Sequence, residues 1–480
     1  MKNISYLLAS TGMLLLSSMA QGESLLEVYQ QALQSDPLIH EAEARRLATL
    51  EAVPQARSAL LPQLSLSAGY STSGSESSQP SSYPLGDDQF IIGVGTREDD
   101  TDSSRWDLSL RQTVFRWDQL VGLKQAHKRV AKAEADREAA QQELILRVAN
   151  RYFAVLAAED RLTSINADRL AIARQLEQAR QRFEVGLIAI TDVQESQAAY
   201  DQSVAFEIAA KRDLATAREY LREITGQYVR SLAAVKEEFP LQTPDPSSEA
   251  NWVDQAMGQN LSLVASRLDE EIARAEVSFR RSGHYPTVEL TASLGNSTTD
   301  GVNTDTFSSS SPPVVYSERY SFDAERDSNS IGLQVSVPLF AGGRTSSRVR
   351  EAVHLHRASR EQLQRVARET ERATRDAYLG VLSEISRVNA LKQAVASSRT
   401  ALEATEAGFE VGTRTIVDVL VSQRAVYNAI TNYYAARYDY IINVLKLKQA
   451  AGTLRIQDLE QVDRWLEDRP PPEETISQPS

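Results

Sequence analysis

The 480-residue chain contains no cysteine, which excludes disulfide bonds, thiolate metal sites and a lipid-modified N-terminal cysteine. Its five histidines are scattered. The closest pair, His354 and His356, points to different faces of a helix, whereas a helical metal site needs both on one face. The sequence contains no nucleophile elbow, phosphate-binding loop or paired-carboxylate motif. We therefore predict no catalytic residue, no cofactor and no metal site, and we do not expect an enzyme.

Long apolar runs are also scarce. One follows Lys2, "ISYLLASTGMLLL", and leads into the small residues of "SSMAQGES", the order of a secretory signal peptide cleaved after Ala20 or Gly22. It is short for a membrane anchor, and no later stretch approaches the ~20 apolar residues of a membrane helix. The net charge of −13 argues against nucleic acid as a partner. These features predict an exported protein.

The chain contains two copies of one plan. The phrase "VGLIAITDV" at 185–193 returns as "VGTRTIVDV" at 411–419, and Phe409 lies 226 residues after Phe183. The same offset holds without a gap from Tyr152 to Gly226, with identical residues at many positions. Each copy must therefore have the same structure.

Glycine and proline are missing from long stretches of each copy. Leu123 to Val185 has neither residue, and Arg344 to Val411 is interrupted only by two glycines. Both stretches are rich in strong helix formers. We predict long helices at about 118–185 and 344–411, each followed by a shorter helix at about 190–230 and 416–451. Helices this long need a partner along their length, so each copy should form a coiled-coil hairpin.

Short segments with alternating apolar and polar residues precede the long helices. They predict strands at about 62–72, 104–115, 286–296 and 329–340. A soluble sheet would alternate in the same way. The long polar loops predicted at 71–104 and 296–330 instead favour an outer-membrane barrel. Four strands cannot close a barrel, so several protomers must share one.

The repeat defines the domain organisation. We predict a signal peptide at 1–22, a first repeat at 23–239, a linker at 240–250, a second repeat at 251–464 and a disordered tail at 465–480.

The chain resembles the TolC family of outer-membrane channel-tunnels. The resemblance spans nearly the whole mature chain and rests on "SLLEVYQQAL", "LLPQLSL", "QRFEVGLIAITDVQ", "YLREITG", "AGFEVGTRTIVDVL" and "AGTL". It implies an α+β membrane protein: a homotrimer with a 12-stranded outer-membrane β-barrel, four strands per protomer, continued by a long periplasmic α-helical barrel with a closable tip.

The resemblance also implies a function. The chain would be a passive, porin-like exit duct for drugs or secreted proteins, as in efflux and type I secretion. Its partners would be outer-membrane lipid, a periplasmic adaptor (membrane fusion) protein and an inner-membrane ABC or RND-type pump. The alternative from the residues alone is an exported periplasmic coiled-coil adaptor or scaffold without a channel.

The repeated phrases mark the turn between the two helices of each hairpin. Asp192 and Asp418 fall in the first turn of the second helix, where a negative charge complements the helix N-terminus. The resemblance adds a gate in which Arg414 bonds the Thr191–Asp192 turn of a neighbouring protomer and Asp418 forms a carboxylate ring at the axis. The residues it assigns to the gate are Asp418, Arg414, Asp192, Thr191, Gln181, Phe409 and Val421. Those of the tip turns, where the adaptor would dock, are Gly186, Leu187, Gly412 and Thr413.

Two positions depart from the family pattern. Phe409 replaces a tyrosine whose hydroxyl supplies a further tie, and Val421 replaces a second acidic residue. The resemblance then predicts a closed resting tip that is held less tightly and blocked more weakly by divalent cations.

Overall fold

The computed structural model describes residues 22–86, 89–229 and 231–467. The predicted signal peptide, apart from Gly22, and the tail after Glu467 lie outside these residues. None of the helices in the described ranges combines the length and the apolar character needed to cross a membrane.

The first half of the chain alternates short helices, a long β-hairpin and a long helical hairpin. Its elements are α1 Leu25–Ser35, α2 Pro37–Leu50, α3 Ala52–Ser58, β1 Gln63–Gly86, β2 Gln89–Phe115, α4 Trp117–Glu184, α5 Ile190–Thr225 and β3 Ala234–Val235. With 68 residues, α4 is about 100 Å long.

The second half repeats this order. Its elements are α6 Glu249–Gln259, α7 Leu261–Arg281, a 3₁₀ turn Ser282–His284, β4 Thr287–Ser310, β5 Pro313–Ser336, α8 Arg344–Glu410, α9 Ile416–Ala450, α10 Ile456–Asp463 and β6 Leu466–Glu467.

Four boundaries differ from the sequence predictions. The last strand, β5, ends at Ser336 instead of 340, where its pairing with β4 stops. Helix α5 ends at Thr225 instead of 230, because Gly226 adopts a left-handed conformation (φ 75°) and its N–H closes the last turn on the Arg222 carbonyl. The predicted loops at 71–104 and 296–330 are strand almost throughout. Leu466–Glu467, predicted to be disordered, pairs with Ala234–Val235.

The chain divides into two compact units, and each takes segments from both sequence repeats. One unit comprises the described parts of residues 1–47, 132–268 and 361–480, and the other comprises those of 48–131 and 269–360. The repeats are therefore units of sequence, whereas the compact units each combine the two copies.

The first unit packs helices around an aromatic core. Tyr152 and Phe153 of α4 are buried, and Phe153 stacks on Tyr438 of α9 with ring centroids 5.5 Å apart. Beside them Arg437 is only 1% exposed; its guanidinium donates to the backbone carbonyls of Val235 and Lys236. Backbone acceptors thus partner one terminal nitrogen of the buried guanidinium and hold β3 against α9, while Nε has no hydrogen-bond partner among the described residues.

The second unit contains an antiparallel sheet with strand order β1-β2-β4-β5, so the two hairpins meet through β2 and β4. The hairpins are longer than predicted because pairing continues through hydroxyl residues, as in Ser73 opposite Thr101 and Thr306 opposite Ser317. These side chains bond across the strands at 2.8 and 3.2 Å, and threonine favours extended backbone. Polar composition alone therefore does not indicate a loop here.

The two faces of the sheet differ in chemistry near the helix-bearing end. One face carries an exposed apolar band: Leu64, Leu66, Tyr70, Trp106, Leu294, Ile331, Leu333 and Val335. On β5 this band runs from Ile331 to Val335, close to the end of the strand at Ser336. The opposite face carries a serine on all four strands at one level: Ser65, Ser109, Ser293 and Ser330.

Candidate functional site

The two helix–helix turns at 185–189 and 411–415, here called the tip turns, share one backbone design. Gly186 and Gly412 have φ values of 75° and 78°, which other residues adopt only with strain. The N–H of Leu187 donates to the Arg182 carbonyl (2.9 Å), and that of Thr413 to the Gly408 carbonyl (2.8 Å). This is the Schellman helix end, and it explains why the glycine recurs at the same place in both copies.

The second tip turn leads into α9 through a capping box. Thr415 is the N-cap: its hydroxyl accepts from the Asp418 N–H (3.3 Å), and Asp418 Oδ2 accepts from the Thr415 N–H (2.9 Å) and hydroxyl (3.0 Å). The Thr415 N–H holds the pKa of the Asp418 carboxyl below its usual range, with further help from the Thr415 hydroxyl and the charge of Arg414. Asp418 therefore caps α9 whatever further role it has.

The first tip turn lacks this cap. Ala189 stands where Thr415 stands in the second copy, and it makes no side-chain hydrogen bond to α5. The first turn of α5 still contains Asp192, whose N–H donates to the Ala189 carbonyl (3.2 Å). The two aspartates are equivalent in sequence, but only Asp418 is held by a capping side chain.

The residues predicted to tie the gate do not meet within one chain. Among the described residues of this single chain, no hydrogen bond joins Arg414 to Thr191 or Asp192. Arg414 instead lies against Gly408, where an added Cβ would come 2.8 Å from Arg414 Cγ. Gln181 donates to Glu177 on its own helix (3.0 Å). The ties to a neighbouring protomer therefore stay predictions.

Phe409 has a partner that sequence reasoning missed. The guanidinium of Arg182 lies over its ring, 4.9 Å from the centroid. Both residues line a cavity of about 320 Å³ between the end of α4 and the α8–α9 turn, together with Ile188, Ile416 and Val419. The ring of Phe409 thus makes a cation–π contact within its own chain.

A second missed contact joins the hairpins two turns farther along α9. Gln423 is 2% exposed and donates to both the side-chain Oδ1 (2.8 Å) and the carbonyl (3.2 Å) of Asp168 on α4. Burial raises the pKa of Asp168, while the Gln423 hydrogen bond and the charge of Arg424 oppose that rise. The repeat was the one sequence signal that could have pointed to Gln423, because Gln197 is the identical residue at the equivalent position of the first copy. Gln197, however, is only half-buried; it accepts from Arg180 and donates to Asp201.

The remaining predicted site residues lie at the surface of the turns. Leu187 is 73% exposed and Val421 is 63% exposed, although both are apolar. Thr191, Thr413, Gly186 and Gly412 are exposed as well. Exposed apolar side chains beside conformationally restricted turns are suited to contacts with another protein.

Comparison with known proteins shows similarity over nearly the whole chain. The family model "Outer membrane efflux protein" matches residues 28–227 and 252–453, one segment in each half of the chain. Outer membrane protein TolC of Vibrio cholerae is 39% identical over 469 residues, covering 97% of this chain and 99% of the relative. TolC of Escherichia coli is 38% identical over 451 residues, covering 94% and 86%.

A protein with a secretion title is similar too. The alkaline protease secretion protein AprF of Pseudomonas aeruginosa is 30% identical over 452 residues, covering 94% of this chain and 89% of the relative.

Solved structures support the same fold. The Vibrio cholerae outer membrane protein VceC superimposes with a TM-score of 0.70 at 21% identity, covering 89% of this chain and 96% of that chain. The Campylobacter jejuni CmeC outer membrane channel gives a TM-score of 0.69 at 15% identity, covering 93% and 90%. Because the family model matches both halves of the chain and the Vibrio cholerae relative matches over nearly its whole length, the alternative of a coiled-coil scaffold without a channel is wrong. The chain belongs to the outer membrane efflux protein family.

Proposed function

We propose that the chain is the outer-membrane exit duct of a tripartite export system, working as a homotrimer with a periplasmic adaptor and an inner-membrane pump. The single observation that carries this proposal is the family match over both halves, 28–227 and 252–453. The duct is passive: it conducts cargo that an energised partner delivers.

The sheet supports assembly into a shared barrel. Strands β1 and β5 are its two edges, and their unpaired backbone groups cannot be satisfied by lipid. Pairing β5 of one protomer with β1 of the next removes both edges. Three protomers in the family arrangement give twelve strands, with the apolar band outward and the serine-bearing face toward the lumen.

The tip turns form the closable end of the duct in this proposal. Arg414 of one protomer ties to the Thr191–Asp192 turn of the next, and three Asp418 carboxylates line the constriction. Val421, one turn farther along α9, adds an apolar ring beside the acidic one. Leu187 and Thr413 provide the exposed surface on which the adaptor docks.

The cargo in this proposal is drugs, secreted proteins or both. The relatives carry both kinds of title: "efflux" for BepC of Brucella suis, and "secretion" for AprF of Pseudomonas aeruginosa and PrtF of Dickeya chrysanthemi. A lumen lined by hydroxyl side chains, such as the serine level of the sheet, suits a conduit without one preferred substrate.

Planar-bilayer recording of the purified mature protein tests the proposal. We expect small cation-selective conductance steps from the wild type, larger steps from Arg414→Ala and reduced selectivity from Asp418→Ala. A wild type and variants that assemble into heat-modifiable oligomers yet give no conductance would overturn the duct.

A further inference from the structure

The far end of the sheet, where the two hairpins turn, carries an aromatic cluster on the serine-bearing face. The ring of Tyr83 on β1 lies 5.6 Å from that of Phe307 on β4 and 5.4 Å from that of Tyr316 on β5. Ile91 and Phe307 are 6% and 7% exposed. The cluster is therefore a packed feature of the hairpin ends.

The register assigns these side chains to one face. Side chains alternate along a strand, and the ladders run unbroken from the serine level to Tyr83, Phe307 and Tyr316. Each of the three lies an even number of residues from the serine of its own strand. The cluster thus shares the face opposite the apolar band, the face that lines the lumen in the proposed duct.

The distances show that this face is concave. Strands β1 and β5 are three steps apart in the sheet, about 14 Å if the sheet were flat. The rings of Tyr83 and Tyr316 nevertheless touch. Arg97 on β2 likewise reaches across β4 to donate to the Tyr320 hydroxyl on β5 (2.7 Å). The ring contact requires the sheet to curl toward this face, since Tyr83 is three strands from Tyr316 and also four residues beyond its level along the ladders. The Arg97–Tyr320 hydrogen bond spans only two strands and fits this arrangement.

Gly93 of β2 allows β4 and the Phe307 ring to pack closely against the β2 backbone. A Cβ at Gly93 would lie 2.3 Å from the Ser308 carbonyl oxygen and 2.7 Å from Phe307 Cζ. The Phe307 ring therefore packs directly over the backbone of β2. Such packing is available only to glycine.

Charges next to the rings give the cluster a negative balance. On the same face Arg97 pairs with Asp99 (2.9 Å) and lies 3.8 Å from Asp305. The Tyr316 hydroxyl donates to Glu318 (3.2 Å). Three carboxylates thus face one guanidinium. Tyr83 and Tyr316 are 37% and 43% exposed, so their rings remain open to a passing molecule.

We propose that this curled end is a second constriction of the duct, at its outer mouth, where aromatic rings and carboxylates bind organic cations that carry aromatic or alkyl groups. Aromatic faces attract cations, most strongly where water is partly excluded, and the surplus carboxylates add to the attraction. Three protomers bring three such clusters to one lumen. The inference rests on the proposed duct, because it needs the serine-bearing face to line a lumen.

Single-channel block by tetrabutylammonium, added to each compartment in turn, tests this constriction. The variants are the double Tyr83→Leu/Tyr316→Leu and the control Val315→Ala, whose side chain lies on the opposite face and is 73% exposed. We expect the double variant to raise the half-blocking concentration at least fivefold from one compartment only. Val315→Ala and Tyr316→Phe, which keeps the ring, should block like the wild type.

The outcomes separate the two proposals. Equal block of the wild type and the double variant from both compartments, with normal conductance, overturns the outer constriction and leaves the duct intact. Absence of conductance from every assembled variant overturns the duct and the constriction with it. Heat-modifiable migration of each purified variant confirms that the substitutions leave the oligomer assembled.

Discussion

The guanidinium of Arg182, at the end of α4, lies 4.9 Å from the ring centroid of Phe409, at the end of α8. This contact joins the two helical hairpins of one chain beside both tip turns. In the family pattern, a tyrosine stands at the position of Phe409. The contact uses the aromatic ring, which phenylalanine and tyrosine share, so the loss of the tie that a tyrosine hydroxyl would supply to the facing turn stays a prediction.

Replacing Arg182 with alanine should loosen the tip. An exposed cation–π contact contributes about 0.5–1 kcal/mol, and three copies together shift the closed-to-open ratio by roughly tenfold or more. Bilayer recording should show the larger conductance level occupied correspondingly longer. Arg180→Ala is the matched control, because Arg180 bonds Gln197 within its own hairpin. Equal occupancy in both variants would contradict the role of Arg182.

Replacing Gln423 with alanine should destabilise the packed hairpins. The change leaves Asp168 without its buried donor and costs about 1–3 kcal/mol per chain. The temperature at which the oligomer dissociates on gels should fall. Gln197→Ala, at the equivalent half-buried position, where both partners are exposed side chains, should stay within about 0.5 kcal/mol of the wild type. A comparable loss from both substitutions would refute the assignment.

Asp168→Asn should stabilise the protein at neutral pH and lose that advantage in acid. Because burial raises the pKa of Asp168, the folded state binds this proton more tightly than the unfolded chain. Stability from this carboxyl therefore rises as pH falls through its folded pKa, until the ordinary value of 3.8 is passed. Melting of both proteins across this range should show their difference shrinking with acid. A pH-independent difference would exclude this linkage.

Two substitutions should distinguish the helix-capping role of Asp418 from the role of its negative charge in cation selectivity. Thr415→Ala removes the cap from α9, about 1 kcal/mol, but keeps the carboxylate, so cation selectivity should persist. Asp418→Asn should reduce cation selectivity in reversal-potential measurements. Since hydrogen bonds from Thr415 lower the pKa of Asp418, the wild type should stay selective as pH falls to 3.8. If Asp418→Asn were as cation-selective as the wild type, the proposed ring of Asp418 carboxylates would be wrong.

Val421→Asp should restore a second acidic ring at the constriction. Val421 is 63% exposed, so an aspartate there remains solvated and charged. We expect divalent cations to block the variant at least several-fold more strongly than the wild type, because two carboxylate rings attract them more than one. Val421→Asn controls for the loss of the apolar side chain. Equal block of Val421→Asp and Val421→Asn would argue against this reading.

Much of the fold was predictable from the chain itself. The absence of Gly and Pro between Leu123 and Val185 and the repeat around Gly186 and Gly412 specify the helical hairpins and their turns, since helix propensity and left-handed glycine caps are local properties. The sequence pattern did not predict that the hairpin ends at 71–104 and 296–330 are strands. Their serines and threonines are typical of loops, yet cross-strand pairing holds them in strands.

The candidate site divides in the same way. The sequence by itself determined the tip turns, the aspartates in the first turns of α5 and α9, and the apolar strand faces. Each of these depends on residues that are close together along the chain. Only the tertiary structure decided that Arg182 meets Phe409, that Gln423 meets Asp168 and that Tyr83 meets Tyr316. Those pairs are more than 200 residues apart, and what joins them is the packing of one copy of the repeat against the other, which local propensity does not encode.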